Sequence, residues 1–539
     1  MSTFESSISV IDWCVVIVYL AGLILFSIYL SKRQHSRADY YVGSRNIGPW
    51  PIAISTIATQ CSTNSILGAP AFVAFSAGGG LLWLQYELAV PLAMLAIMIF
   101  LLPVFRELKL VSVYEYLERR FDLKTRLALS ALFQFVRAFA TAVTIYSISL
   151  VIELITGLSF FWSVITLGLI TLIYDVLGGV RAVIYSDVLQ MIILAAMLLL
   201  VFVMLVSEAG GFWTMFDSIP SERLRTVDFA NHGLGDGATF AFWPMLFGGF
   251  FLYVSYYGCD QSQVQRELCA KSVDESKHSL FLNGLLRFPL VLLYCLVGVG
   301  IGAYAVSHPE FISLLPKDEG QPNYNLVVPA YILQNLPVGL VGLSLVALFA
   351  AAMSSLDSVL NSLSASTMED FVQRFHKGAW NDQKELWISR IVTVCWGSLA
   401  ITFSFFVGDI AETVIVAINK IGSLINGPVL GVFALGLLTN RAEGRGAISG
   451  LIAGFLLNLL CWLFLPQVSW LWWNVFGFAL CYIVGLSVSS MLPTTPTRGS
   501  PSAGPLQFLN WPQWRLRYLG LLGYSAGILT LLVIFQALY

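Results

Sequence analysis

Ala350-Ala351-Ala352-Met353-Ser354-Ser355-Leu356-Asp357-Ser358-Val359-Leu360-Asn361-Ser362 follows a largely apolar run at residues 338–349. That run reads as the first half of a membrane-spanning helix. At helical spacing, Ser354, Asp357, Ser358, Asn361 and Ser362 fall on one face. Lipid cannot satisfy such a face, so an acid and several hydroxyls at this depth must meet protein, water or an ion. The face is rich in oxygen and lacks Cys and His. It therefore suits a hard cation such as Na⁺ better than a transition metal.

The rest of the chain supports a membrane setting. Of its 539 residues, 57% are hydrophobic and 11% charged, with a mean hydropathy of +0.79. Soluble domains carry roughly 25% charge. The net charge of −2 points to no charged partner, and no basic tract interleaved with aromatics points to nucleic acid. The first apolar run, 8–30, has an acidic start and no small-residue cleavage site, so it reads as a retained helix. The eight cysteines form no C-x-x-C pair and read as packing residues. The five histidines are scattered, and no zinc, phosphate-loop, dinucleotide or nucleophile-elbow motif occurs. Gly78-Gly79-Gly80 lacks a following Lys and reads as a turn. With no nucleophile–base pair and no metal cluster, the chain does not read as an enzyme.

A span of about 20 residues is needed to cross a bilayer. Fourteen candidates occur, at 8–30, 49–75, 80–105, 127–152, 157–178, 183–207, 240–263, 279–306, 329–366, 387–407, 411–437, 446–465, 470–492 and 516–538. With the N-terminus outside, 23 of the 29 Lys and Arg residues fall in inner loops and three in outer loops. This is the positive-inside pattern, and it predicts both termini outside a plasma (inner) membrane. Trp470, Trp472 and Trp473 are expected in an interfacial belt. Residues 493–513 are rich in Pro, Ser and Thr and read as an inner linker.

Two spans carry polar interruptions. The second contains Thr59-Gln60-Cys61-Ser62-Thr63-Asn64-Ser65, and the seventh contains Tyr253-Val254-Ser255-Tyr256-Tyr257-Gly258-Cys259-Asp260-Gln261. Five spans separate their starts, and they run in opposite directions. Paired breaks of this kind mark transporters built from two inverted five-helix repeats. The expected division is 1–48 for the first helix and inner loop, 49–238 for the first repeat, 239–440 for the second, and 441–539 for three further helices.

These residues resemble the sodium/solute symporter family, which includes sodium/sugar and sodium/monocarboxylate cotransporters. The likeness rests on Asp39-Tyr40-Tyr41-Val42-Gly43-Ser44-Arg45, Glu115-Tyr116-Leu117-Glu118-Arg119-Arg120-Phe121, the stretch from Gly178 to Gln190, Gln261-Ser262-Gln263-Val264-Gln265-Arg266, and the opening segment. The resemblance implies an all-α ten-helix inverted-repeat core at spans two to eleven. It implies Na⁺-coupled import of a small polar organic solute, a sugar or polyol or a small carboxylate, by alternating access, with no organic cofactor. It also implies one Na⁺ held by the carbonyls of Ala58, Cys61 and Ala351 and the hydroxyls of Ser354 and Ser355. The bland reading of those serines is back-bonding to their own helix. A candidate second cation site comprises Asp187, Asp357 and Ser358, with Asp187 otherwise an inner salt bridge to Arg181. The matching substrate positions are Asn64, Ser65, Glu87, Tyr253, Tyr256, Asp260, Arg287 and Asn419. Arg287 either pairs a substrate carboxylate or neutralises Glu87 or Asp260. Lys420 is a pocket charge or an inner-end anchor. Two other readings are a sensor on a transporter fold, disfavoured because the chain stops soon after its last helix, and H⁺-coupled transport.

Overall fold

The computed structural model describes residues 8–32, 34–61, 63–318, 320–378, 380–407, 414–492 and 511–539. The expected linker at 493–513 lies almost entirely outside them, and so does the start of the eleventh expected span. Fifteen helices carry the architecture. They are α1 (Val10–Ser31), α2 (Pro49–Gln60), α3 (Thr63–Ala74), α4 (Trp83–Glu107), α5 (Leu123–Thr156), α6 (Phe160–Glu208), α7 (Gly249–Cys259), α8 (Gln261–Glu267), α9 (Val273–Ser307), α10 (Leu340–Ser366), α11 (Asp382–Ser404), α12 (Val414–Leu438), α13 (Gly444–Phe464), α14 (Trp472–Met491) and α15 (Trp511–Leu538). Among the described residues the one strand pair is a hairpin of two-residue strands, Lys317–Asp318 with Gln321–Pro322.

Among the described residues, eleven helices are long and apolar enough to cross a bilayer. The count departs from the expected fourteen at three places. The second expected span is two helices of 12 residues, α2 and α3, each too short alone. The seventh is likewise divided, with α7 ending at Cys259 and α8 starting at Gln261. The fifth and sixth are joined in α6, whose 49 residues would measure about 74 Å if straight. It is not straight. The Tyr174 hydroxyl bonds the Ser186 hydroxyl, 12 residues on, so the chain folds back between them. The turn is at Gly179, where φ is +59° and a Cβ would sit 2.8 Å from the Tyr40 ring. Only glycine takes that backbone without strain.

The polar face of α10 determines where this helix sits. From Val341 to Ser366 nearly every residue is buried. Close approach is obtained with small residues: a Cβ on Gly342 would lie 2.6 Å from the Asp12 backbone. The Asp12 carboxylate of α1 accepts from Gly339 N and Gly342 N, both at 2.7 Å, and so caps the start of α10. At the other end Arg126 of α5 pairs with Asp370 at 2.7 Å and with Glu118 at 2.8 Å. The interfacial expectation for the tryptophans fails at two positions. Trp470 and Trp473 are buried, against Phe240 and Trp462 respectively, because α14 packs inside the bundle at this end.

Candidate functional site

The first broken helix and α10 meet through oxygen atoms. Helix α2 ends at Cys61 with φ −81° and ψ +61°, outside helical geometry, which frees carbonyls on its last turn. Ser354 Oγ lies 3.3 Å from the Ala58 carbonyl and 3.2 Å from that of Ala351. Ser355 Oγ lies 3.3 Å from both the Thr59 and Ala351 carbonyls. Back-bonding to α10 is therefore present, but each serine also faces a carbonyl of α2. A hard cation about 2.4 Å from each oxygen leaves neighbouring ligands about 3.4 Å apart. The observed oxygen spacings of 3.2–3.3 Å are close to that value. Four of the five expected ligands, Ala58, Ala351, Ser354 and Ser355, come together, and the Thr59 carbonyl joins them. The fifth expected ligand, the Cys61 carbonyl, makes no contact with these serines in the hydrogen bonds of the described residues, and the Cys61 thiol accepts from Arg287 Nη1 at 2.7 Å.

One turn further along α10, Asp357 and Ser358 meet Asp187 of α6. Ser358 Oγ is 3.2 Å from Asp357 Oδ1, and Asp187 Oδ2 accepts from Ser55 of α2. The Arg266 guanidinium of α8 bonds Ser358 and Ser55 and lies 3.7 Å from Asp187. Asp187 thus pairs with Arg266 and not with the expected Arg181, whose Nε goes to the Gly43 carbonyl. Asp187 Oδ1 and Asp357 Oδ2 are buried without a partner among the described residues. Two carboxylates face one guanidinium, so with both acids ionised the cluster would carry one negative charge in excess, which a cation would offset.

A cavity of about 180 Å³ lies between the two broken helices. Ser65, Tyr253, Tyr256, Asp260, Arg287 and Asn419 line it, as expected. The Asn64 side chain lies outside the described residues. Glu87 is fully buried behind this wall, not in it. Its carboxylate takes Arg287 at 3.0 and 3.4 Å and the Tyr253 hydroxyl at 3.2 Å. Arg287 is thereby neutralised, as one of the two readings had it. Lys420 stands over the Trp462 ring at 5.6 Å and does not line the cavity.

The residue that sequence reasoning passed over is Arg137 of α5. It lines the cavity, donates from Nε to Asp260 Oδ2 at 2.6 Å, and lies over the Tyr256 ring at 4.7 Å. Its Nη1 and Nη2 make no hydrogen bond among the described residues. A lone arginine inside an apolar run was the available signal, because charge at that depth is retained for function.

The sequence matches the sodium:solute symporter family over residues 40–454. It is 30% identical over 493 residues to the sodium/sialic acid symporter NanT of Aliivibrio fischeri, covering 90% of this chain and 94% of the relative. It is 31% identical to the human sodium-coupled monocarboxylate transporter 1, covering 82% of this chain and 71% of the relative. Among solved structures, the fold superposes with a TM-score of 0.80 and 26% identity on a substrate-bound, outward-open Na⁺-coupled sialic acid symporter, covering 90% and 98% of the two chains. That structure is described as revealing a novel Na⁺ site.

Proposed function

This chain belongs to the sodium:solute symporter family, and from that premise we propose that it imports a small hydroxylated or aliphatic carboxylate together with Na⁺. It is a multi-pass membrane transporter and not an enzyme. The observation that carries the substrate class is the free end of Arg137. Arg137 lines the cavity and only its Nε is bonded among the described residues, so its guanidinium keeps N–H donors that match the two oxygens of a carboxylate. Arg287 cannot serve equally, since Glu87 and Cys61 already engage its Nε and both terminal nitrogens. The names of the relatives are consistent with this reading: sialic acid and monocarboxylates share a carboxylate and differ in the rest.

In the mechanism, Na⁺ enters from outside and binds between the end of α2 and Ser354 and Ser355. That contact orders the first break and raises substrate affinity, and by linkage the substrate raises Na⁺ affinity by the same factor. A second cation at Asp187, Asp357 and Ser358 offsets the negative excess there. Each charge carried inward gains roughly 2.3 kcal/mol per 100 mV. The two inverted repeats, 49–238 and 239–440, then rock about the site to expose it on the inner face. The Lys and Arg distribution supports a plasma-membrane orientation with both termini outside.

The test is uptake into proteoliposomes under an inward Na⁺ gradient, with a sialic acid, lactate, a neutral sugar and an amino acid as probes. The account expects Na⁺-stimulated uptake of an anion. Arg137→Gln should weaken that substrate roughly 30-fold or more, the equivalent of about 2 kcal/mol for a desolvated charge pair. Uptake of the neutral sugar alone, untouched by Arg137→Gln, would overturn the substrate class.

A further inference from the structure

Arg137 is engaged on two sides. It lines the cavity, while its Nε holds Asp260, the single non-helical residue between α7 and α8. Asp260 has φ −94° and ψ +125°, an extended backbone that separates the two helices. Its other oxygen, Oδ1, caps α8 by accepting from Ser262 N at 2.8 Å and from Ser262 Oγ at 2.5 Å. Helix α8 is in turn tied to the inner side. Gln261 accepts from Val113 N at 2.8 Å and donates to the Val111 carbonyl at 2.7 Å, and Gln265 donates to Asn361 of α10 at 2.8 Å. The Arg137–Asp260 pair thus joins α5 to the break between α7 and α8, 123 residues further along the chain.

We propose that Asp260 is an internal competitor of the substrate: the incoming carboxylate takes Arg137 from Asp260, and the released Asp260 loosens the junction between α7 and α8. This rests on the reading of the substrate as a carboxylate. Two carboxylates brought to one guanidinium in a site of low dielectric repel each other, so the better-placed one displaces the other. A ligand shifts a conformational equilibrium only through its differential affinity for the two states. An anion supplies that difference, because it binds Arg137 best when Asp260 has left. A neutral ligand of the same shape leaves the pair intact and occupies the cavity without freeing α8. Asp260 therefore selects for charge at the step after binding. It acts by positioning Arg137 and not by touching the ligand. Tyr256, whose ring lies against Arg137 and whose hydroxyl accepts from Gln263 Nε2 at 2.9 Å, links the same event to the inner half of the break.

The experiment is amide hydrogen exchange on the full-length protein in nanodiscs with saturating Na⁺, read on peptides covering residues 260–267. The probes are N-acetylneuraminate and lactate, each with its neutral counterpart, the methyl ester and lactamide. The expected result is severalfold faster exchange in 260–267 with the bound anion and no change with the neutral counterpart. Asp260→Asn removes the competitor, so the anion should bind about tenfold tighter and no longer alter exchange in this segment. Anion binding that Arg137→Gln abolishes, but with unchanged exchange at 260–267 in the wild type, would overturn the competition and leave the substrate class standing. Binding of neither anion, with the neutral counterparts bound regardless of Arg137, would overturn both. The wild-type comparison decides the matter even where the Asn variant fails to fold.

Discussion

The two broken helices occupy corresponding places in the chain but are finished with opposite chemistry. At the first break, neutral oxygens of α2 face the Ser354 and Ser355 hydroxyls across 3.3 Å. At the second, a carboxylate caps α8 and holds an arginine at 2.6 Å. The first arrangement offers partial negative charge without a built-in cation, so it gains from a small cation that arrives. The second already contains both charges, so it changes only when something displaces one of them. An interruption in a membrane helix is therefore not a single kind of site. What fills the freed backbone positions decides whether it receives an ion or responds to a ligand.

The largest expected effect concerns the charge pair behind the first break. Glu87→Gln strips Arg287 of its buried carboxylate and leaves an unpaired guanidinium. The loss should be about 3–5 kcal/mol of stability, read as a fall in the thermal unfolding midpoint, and the double variant Glu87→Gln/Arg287→Met should recover much of it. If the single variant melts like wild type, Arg287 is not neutralised by Glu87, and the first break is charged like the second.

A smaller effect comes from a third interruption, the fold-back at Gly179, which does not line the cavity between the broken helices. Gly179→Ala should cost about 1–3 kcal/mol through backbone strain and contact with Tyr40. It should lower the melting temperature while leaving the Na⁺ concentration for half-maximal uptake unchanged. A shifted Na⁺ dependence would mean that this turn, too, belongs to the ion pathway.

The smallest effect lies outside the membrane, in the turn that precedes the second break. The Asp236 carboxylate accepts from the N–H groups of His232, Gly233 and Ala238 at 2.7, 3.0 and 3.0 Å. The His232 N–H above all holds its pKa below the ordinary 3.8. A depressed carboxyl stabilises the folded turn fully above its unfolded pKa and loses that contribution as pH falls through the folded one. Amide exchange at 232–238, corrected for intrinsic rate, should be flat from pH 7 to 5 and rise below 3.8. A profile that stays flat below 3.8 would remove the Asp236 carboxylate from what holds the turn.

The parts legible in the sequence were those where lipid imposes a local rule. A polar break in an apolar run must have a reason on the spot, so both breaks, the serines of α10 and most of the helix positions could be read one segment at a time. The remainder depended on partners far apart in the chain. Arg137 and Asp260 are 123 residues apart, and a charge in one span does not say which other span will hold its counter-ion. The same blindness hid Arg266 beside Asp187 and put Glu87 in the cavity wall instead of behind Arg287. The fifth and sixth spans appear as one element because their connection is a single glycine. Trp470 and Trp473 looked interfacial because aromatic content alone does not reveal burial by a neighbouring helix.

The most direct test of the ion site is Na⁺ dependence in Ser354→Ala and Ser355→Ala, measured on purified protein by Na⁺ binding and on proteoliposomes by uptake. Removing one oxygen ligand should raise the half-saturating Na⁺ concentration about tenfold in each, the equivalent of about 1.4 kcal/mol, with little change in melting temperature. Unchanged Na⁺ dependence in both folded variants would contradict the account, leaving the serines as back-bonding residues of α10 and placing the coupling ion elsewhere.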